Sequence, residues 1–430
     1  MRYKYRFLAG LLAFSTGLVM AVAMRVPFSQ PMPDSILQAQ EWASSGRITE
    51  TFTPIAYPLL IAPAYHFGGI YGVVILQEAL QITLVAMCFF FLLQLGISAR
   101  VAVFGSLPVA LHPDFLSSIA RSWDVTLSTI LLVLLVLILV RIQVAGSKLS
   151  VSTVGGVVFA AAVFCRSNYL PVAIALLYAL HSGGERQHGS VPLSVASKET
   201  AIRTSLFCFF VFVVSGISTY SFLGTVGHGS PFFPQNGSYN LFAGNNPYSV
   251  PAFLANLNGE LSINPAYRAH HPELSPLAPS PDFRDPSLYD FYLRSSFEYA
   301  LHHPAAEVKL FGIKLFTLFR PNIRIRPQPF AFGLVKCFLA LPVVFFLILL
   351  VLPGRTPLDR VDRLLLIVYA AYILPFLITN SDPRFRIPLD VLLILHSVRL
   401  LAIRGKATPS GGLRIRKEEV FATFSSSMLL

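Results

Sequence analysis

The residues able to do chemistry in this chain are few, and they gather at the edges of apolar segments. Asp34, Gln38 and Glu41 are spaced i, i+4 and i+7, so on a helix they share one face. Acids on one face beside an apolar segment could bind a metal, take a proton from a hydroxyl, or stay solvated. Asp34 is also a good N-cap for a helix over 35–45. Asp124 opens an apolar run, where it could cap a helix, orient a substrate or bind a cation. Arg166 falls in a tight turn between two such runs, and Arg384 and Arg386 begin the last one. Each of these cations could anchor the chain at an interface or hold an anion. The histidines His228, His270, His271, His302 and His303 lack the spacing of a metal site with a third partner.

These groups must be positioned by apolar elements, because little else is present. Of 430 residues, 54% are hydrophobic and 13% charged, against about 25% charged in an ordinary soluble domain. Mean hydropathy is +0.64. The composition is that of an all-α polytopic membrane protein. The net charge of +12 does not point to nucleic acid, because the basic residues lie beside apolar segments, as orientation in a membrane requires. Cys88, Cys165, Cys208 and Cys337 all fall in or beside apolar segments, so no disulfide framework is expected.

A spanning helix takes about 20 mostly apolar residues. Spans are expected near 7–24, 70–94, 100–113, 123–141, 151–165, 168–181, 204–224, 331–352, 363–380 and 385–402, ten in all. Ala21-Val-Ala23 fits a signal-peptidase site, but a polytopic chain needs only an uncleaved first span. Arg2, Lys4 and Arg6 place the N-terminus in the cytoplasm, and Arg404, Lys406, Arg414, Arg416 and Lys417 place the C-terminus there too. Both ends lie on one side only if the amphipathic stretch 306–322 rests at the outer interface, with Lys309 among its apolar positions.

The chain then divides into an N-terminal transmembrane module (1–224), an extracytoplasmic loop with its interfacial helix (225–330), C-terminal spans (331–405) and a cytoplasmic tail (406–430). The first loop (25–58), the turn between His112 and Asp124, and the large irregular loop from about 225 to 306 all face outward and could meet. Helices are expected over 35–45 and 288–302. Only Lys336 and Glu78 are expected well inside a span, and an acid at a helix centre costs roughly 2.5–3.5 kcal/mol. Charge stacked at outer ends favours surface chemistry over a transport path.

Several short motifs, in order, carry a family resemblance. Asp34 follows the first span, and its helix ends Trp42-Ala43-Ser-Ser-Gly46; Pro54…Tyr57-Pro58 leads back into the second. Trp123-Asp124-Val-Thr-Leu opens the fourth span, and Phe164-Cys-Arg166-Ser-Asn-Tyr-Leu-Pro171 follows the fifth. Asn240-Leu-Phe-Ala-Gly244-Asn245-Asn246-Pro247 sits in the long loop, and Asp382-Pro-Arg384-Phe385-Arg386-Ile-Pro388 opens the last span. In this order the chain resembles the membrane glycosyltransferases of the C superfamily (GT-C), in the branch of the protein O-mannosyltransferases and the aminoarabinose transferase of lipid A. The family pattern has two adjacent acids in the first loop, whereas Asp34 is followed here by Ser35.

The resemblance implies a plasma-membrane enzyme that moves a sugar from a polyprenyl-phosphate carrier to an extracytoplasmic acceptor: a protein, a lipid or a glycan. An attacking hydroxyl must lose a proton, and the lipid-phosphate leaving group needs cations. Asp34 is then the expected base and Asp124 the second catalytic acid. Arg384 and Arg386, with Arg166 and Lys309, are the expected phosphate ligands, and Glu41 and Tyr57 complete the substrate-binding set. The resemblance fixes no definite cofactor, and the acids leave room for a divalent cation. An O-antigen ligase or polymerase would share the many spans and the large loop but depend on Arg and His in that loop. A lipid or sugar transporter would need charge near the membrane midplane.

Overall fold

The computed structural model describes residues 2–23, 34–48, 54–112, 115–116, 124–145, 149–184, 195–228, 236–247, 249–250, 288–319, 343–349, 358–381 and 383–406. Among them every regular element is helical. In chain order they are α1 (Arg2–Ala23), α2 (Asp34–Ser45), α3 (Ala56–Gln94), α4 (Ala99–Ala110), α5 (Val125–Ala145), α6 (Leu149–Cys165) and α7 (Ala173–Gly184). Then come α8 (Val195–His228), α9 (Asn236–Gly244), α10 (Tyr289–His302), α11 (Pro304–Phe319), α12 (Arg360–Ile378) and α13 (Ile387–Lys406). Single 3₁₀ turns, Ser167–Val172 and Pro383–Arg386, precede α7 and α13. Most of the long loop, residues 251–287, the expected span residue Lys336 and the tail after 406 lie outside the described residues.

Among the described residues, four helices are long and apolar enough to cross a membrane: Ala56–Gln94, Val125–Val144, Phe207–Val226 and Arg360–Ile378. The expected spans at 7–24, 100–113, 151–165 and 168–181 appear as shorter apolar helices, Arg6–Leu18, Ala99–Ala110, Leu149–Cys165 and Ser167–Ala179. Among the described residues, length and composition alone therefore identify four of the ten expected spans. The outer surface is apolar where lipid would meet it. Phe67, Tyr71 and Ile75, four residues apart on α3, are 87%, 77% and 65% exposed.

Helix α3 is too long for one straight crossing. Its 39 residues would reach about 58 Å, nearly twice a bilayer core. It bends at Gly69, whose φ of 55° and ψ of −144° are open to glycine and strained for other residues. The part before the bend, which carries Tyr57, Pro58 and Pro63, packs under α2 through Ile36, Ala39, Tyr57, Ile61 and Ala62. The part after the bend enters the main core with α4, α5, α6, α7, α12 and α13. The Tyr57-Pro58 return thus forms a helical support for the first loop.

One expectation is corrected inside the last helix. Lys336 and Glu78 are not the sole ionisable groups well within apolar segments, because α13 carries buried Asp390, His396 and Arg399. Asp390 lies between Leu389 and Val391, Arg399 between Val398 and Leu400, and His396 follows the run Val391–Leu395, so the apolar pattern hides them.

Candidate functional site

One end of the bundle collects the first loop, the start of α5, the end of α6, the end of α12 and the start of α13. Leu127, in the first turn of α5, packs on the α2–α3 contact. Ile48 and Ile55 of the first loop pack on Phe164, with Trp42 against them. Phe164 brings this group to within two residues of Arg166. The first loop thus meets the start of α5 and the end of α6 through apolar contacts, while residues 113–114, 117–123 and 251–287 of the other two segments expected to meet it lie outside the described residues.

Asp34 begins α2 and is exposed, and Glu41 is half-buried. Gln38 between them is only 3% exposed, buried with Ile36 and Ala39 on the side facing α3. The three residues do lie on a helix, but its packed side runs through Gln38 and leaves Asp34 at the rim. Tyr57 is buried beneath α2, with its hydroxyl against Gln77 Nε2. That placement makes it a packing residue of the support.

Asp124 stands immediately before α5, and its two carboxylate oxygens are both taken by Arg166. Arg166 Nε donates to Asp124 Oδ2 at 2.7 Å and Nη2 to Oδ1 at 2.8 Å. This two-pronged pair joins residues 42 positions apart, which local spacing could not reveal. The guanidinium also lies over the Phe385 ring, 5.7 Å from its centroid. Arg166 is 9% exposed, and its remaining nitrogen, Nη1, is buried with no hydrogen-bond partner among the described residues. A cation bound at Asp124 would have to displace Arg166, and among the described residues no three His, Cys, Asp or Glu side chains converge on one point.

The other expected anion ligands divide. Arg386 is 4% exposed; Nε donates to Asp390 Oδ2 at 2.9 Å and Nη1 to the Phe319 carbonyl at 2.6 Å. It ties α11 to α13 and brings its own counter-charge. Lys309 is exposed on α11. Arg384 lies in the 3₁₀ turn, and its side chain is outside the described residues.

The cation that turns inward is Lys314, which the sequence reading missed. Helix α11 is inside out for a water-facing helix: Val308 and Phe316 are 76% and 66% exposed, whereas Lys314 and Thr317 are fully buried. Lys314 Nζ donates to Asn245 Oδ1 at 2.8 Å and to the Ile378 carbonyl at 3.3 Å. Ser381 Oγ closes the contact by donating to the Lys314 carbonyl at 3.0 Å. Burial pushes the Lys314 ammonium down to about 8, with Glu307 acting weakly against it. Burial also raises the Glu307 carboxyl.

The Gly244-Asn245-Asn246 motif builds the cradle for this lysine. A Cβ at Gly244 would stand 1.9 Å from the Thr379 carbonyl oxygen, so only glycine allows α9 to approach the end of α12 so closely. That approach lets Asn245 Nδ2 donate to the Ile378 carbonyl at 2.8 Å while its oxygen faces Lys314. Beside them Thr317 Oγ1 and both polar atoms of Asn380 are buried without hydrogen-bond partners among the described residues. A site with a buried cation, neutral acceptors and spare polar atoms can take an anion.

No protein-family model and no curated protein matches this chain.

Proposed function

We propose that this chain is a membrane glycosyltransferase that moves a sugar from a polyprenyl-phosphate carrier to an acceptor outside the cytoplasm. What carries the proposal is the gathering, at one end of the bundle, of an exposed helix-starting carboxylate and buried cations with unused donor capacity. Asp34 is the general base that takes the acceptor's proton as its oxygen attacks the anomeric carbon. Arg166, through Nη1, and Lys314 stabilise the phosphate that leaves. Asp124 orients Arg166 rather than acting as a second base, since both of its oxygens are engaged. Arg386 positions α11. The apolar outer faces of α11 and α3 suit a prenyl tail lying in lipid.

The membrane is the plasma membrane and the chain crosses it ten times, with short helices tilted or extended to complete the crossings. The Lys and Arg distribution puts the opposite end of the bundle in the cytoplasm. Reporter fusions at residues 270 and 384 are expected on the outer side, and fusions at 190 and 410 inside.

A transporter draws one specific observation, the buried Asp390 and His396 of α13. Both are held by partners within the bundle, Arg386 and Asp362, so sugar transfer is preferred. The test is incubation of the purified chain in lipid nanodiscs with polyprenyl-phosphate hexoses and pentoses, plus envelope extract as acceptor source. Release of polyprenyl phosphate together with a glycosylated product is expected. Carriers left intact, with their lipid moved across the bilayer, would establish transport instead.

A further inference from the structure

A cavity of about 300 Å³ opens between α9 and α10, next to the Lys314 cradle but separate from it. Its volume is at the lower limit of ligand pockets, which run from about 300 to 1,000 Å³, and suits one ring-sized group. Phe291, Ser295, Glu298, Tyr299 and His302 line it from α10. They are spaced i, i+4, i+7, i+8 and i+11, so a single face of the helix supplies them. Phe242 lines it from α9 and Asn246 from the turn that follows, and Asn245, one residue back, holds Lys314.

The lining alternates rings with hydrogen-bonding groups. Phe242 and Phe291 lie 5.7 Å apart at 58°, and Tyr299 and His303 4.9 Å apart at 38°. Such tilted platforms accept the C–H face of a saturated ring. Glu298 accepts hydrogen bonds and Ser295 can donate or accept. His302 Nδ1 lies 2.7 Å from the Glu298 carbonyl oxygen. A carbonyl only accepts, so Nδ1 carries the hydrogen, and in the neutral ring Nε2 is left as an acceptor. Rings on the walls and acceptors between them match a ring that is apolar on its faces and bears hydroxyls at its edge.

We infer that this cavity binds one monosaccharide unit, through ring stacking on Phe291 and Tyr299 and hydroxyl hydrogen bonds to Glu298 and His302. Its role as the acceptor subsite rests on the proposed sugar transfer; the binding itself does not. The probes are methyl α-mannopyranoside, methyl β-glucopyranoside and methyl β-galactopyranoside, with cyclohexanol as a ring of like size bearing one hydroxyl. Saturation-transfer NMR on the full chain in nanodiscs should show transfer to at least one glycoside and much less to cyclohexanol. Glu298→Gln and Tyr299→Ala should each weaken that binding at least tenfold. Leu301→Ala, at a side chain 78% exposed and outside the lining, should leave it unchanged. Absence of transfer to every glycoside, equal transfer to cyclohexanol, or unaltered binding in both cavity variants would overturn the assignment. Glycoside binding in a chain that moves no sugar from any lipid carrier would keep this site and remove the transferase.

Discussion

The two ends of the bundle both bury charge, and they do so in opposite ways. At the end where α12 begins, Asp359 and Asp362 form a reciprocal cap on that helix, with Asp362 N donating to Asp359 Oδ1 at 2.9 Å and Asp359 N to Asp362 Oδ2 at 3.1 Å. Asp362 also meets Arg399 and His396, the latter at 3.0 Å, and His396 Nδ1 lies 3.1 Å from the Tyr369 hydroxyl. Arg399 faces both carboxylates. Each charge there faces a partner of opposite sign or a hydrogen-bonding group, and the groups of this cluster face one another. At the other end Arg166 keeps a buried nitrogen without a partner among the described residues, and Lys314 donates to neutral oxygens, with the Glu307 carboxylate acting on it only from a distance. A closed network staples helices, whereas an open one has capacity left for a ligand.

The largest expected effect tests the closed end. Asp362→Ala leaves Arg399 and His396 facing a cavity, and breaking a buried pair from one side costs about 3–5 kcal/mol. Thermal unfolding in nanodiscs should show a marked loss of stability, with prenyl-phosphate affinity of the folded fraction unchanged. A normal melting temperature would mean that the network is not a staple.

Next comes the exposed acid at the open end. Asn caps a helix about as well as Asp, so Asp34→Asn should insert and melt like the parent. Its sugar transfer should fall by about 10² or more, because the proton acceptor is gone. Near-native transfer by a well-expressed Asp34→Asn protein would reduce Asp34 to a cap.

Arg166→Lys keeps a charge but loses the fork that grips Asp124 and the third nitrogen beside it. Donor use should drop roughly ten- to a hundredfold, in line with about 1.5–3 kcal/mol for a charge-assisted bond. Unchanged KM and kcat for the donor would limit Arg166 to a structural pair. The smallest effect is expected at Lys309, exposed on the same helix as Lys314. Lys309→Ala should change stability by less than about 0.5 kcal/mol and leave donor use within twofold, which assays of both quantities can check.

Helices were the most legible part of the sequence, because apolar runs and helix-starting residues act locally. The helix expected over 35–45 is α2, the stretch 306–322 holds α11, and the break between 165 and 168 is the Arg166 turn. The charge partners were not legible. Asp124 and Arg166 meet across 42 residues, and Lys314 and Asn245 across 69, distances over which no period operates. The sequence pointed to Lys309 rather than to buried Lys314 for a related reason. Both lysines sit among apolar residues on one helix, and only the docking of α9 against α12 decides which one turns inward. Buried Asp390 and His396 escaped notice because their partners, Arg386 and Asp362, lie one turn away and on another helix.

The central claim is that the open end receives a lipid phosphate at Lys314, and affinity as a function of pH tests it directly. Lys314 is held down to about 8 in the fold, against about 10.4 for a free lysine. The unfolded chain therefore binds more protons between those values, so this residue's cost to stability is largest below about 8 and is relieved as pH rises toward 10.4. Phosphate binding runs the other way, since it needs the ammonium and must weaken as pH rises through about 8. A prenyl phosphate, whose second ionisation lies near 6, keeps its own charge constant across that range. Farnesyl phosphate binding to the chain in nanodiscs, measured from pH 7 to 9.5, should fall at least tenfold in the parent protein. It should be at least tenfold weaker at pH 7, and flat with pH, in a Lys314→Met variant that melts normally. Equal affinity and equal pH dependence in the two proteins would contradict the account.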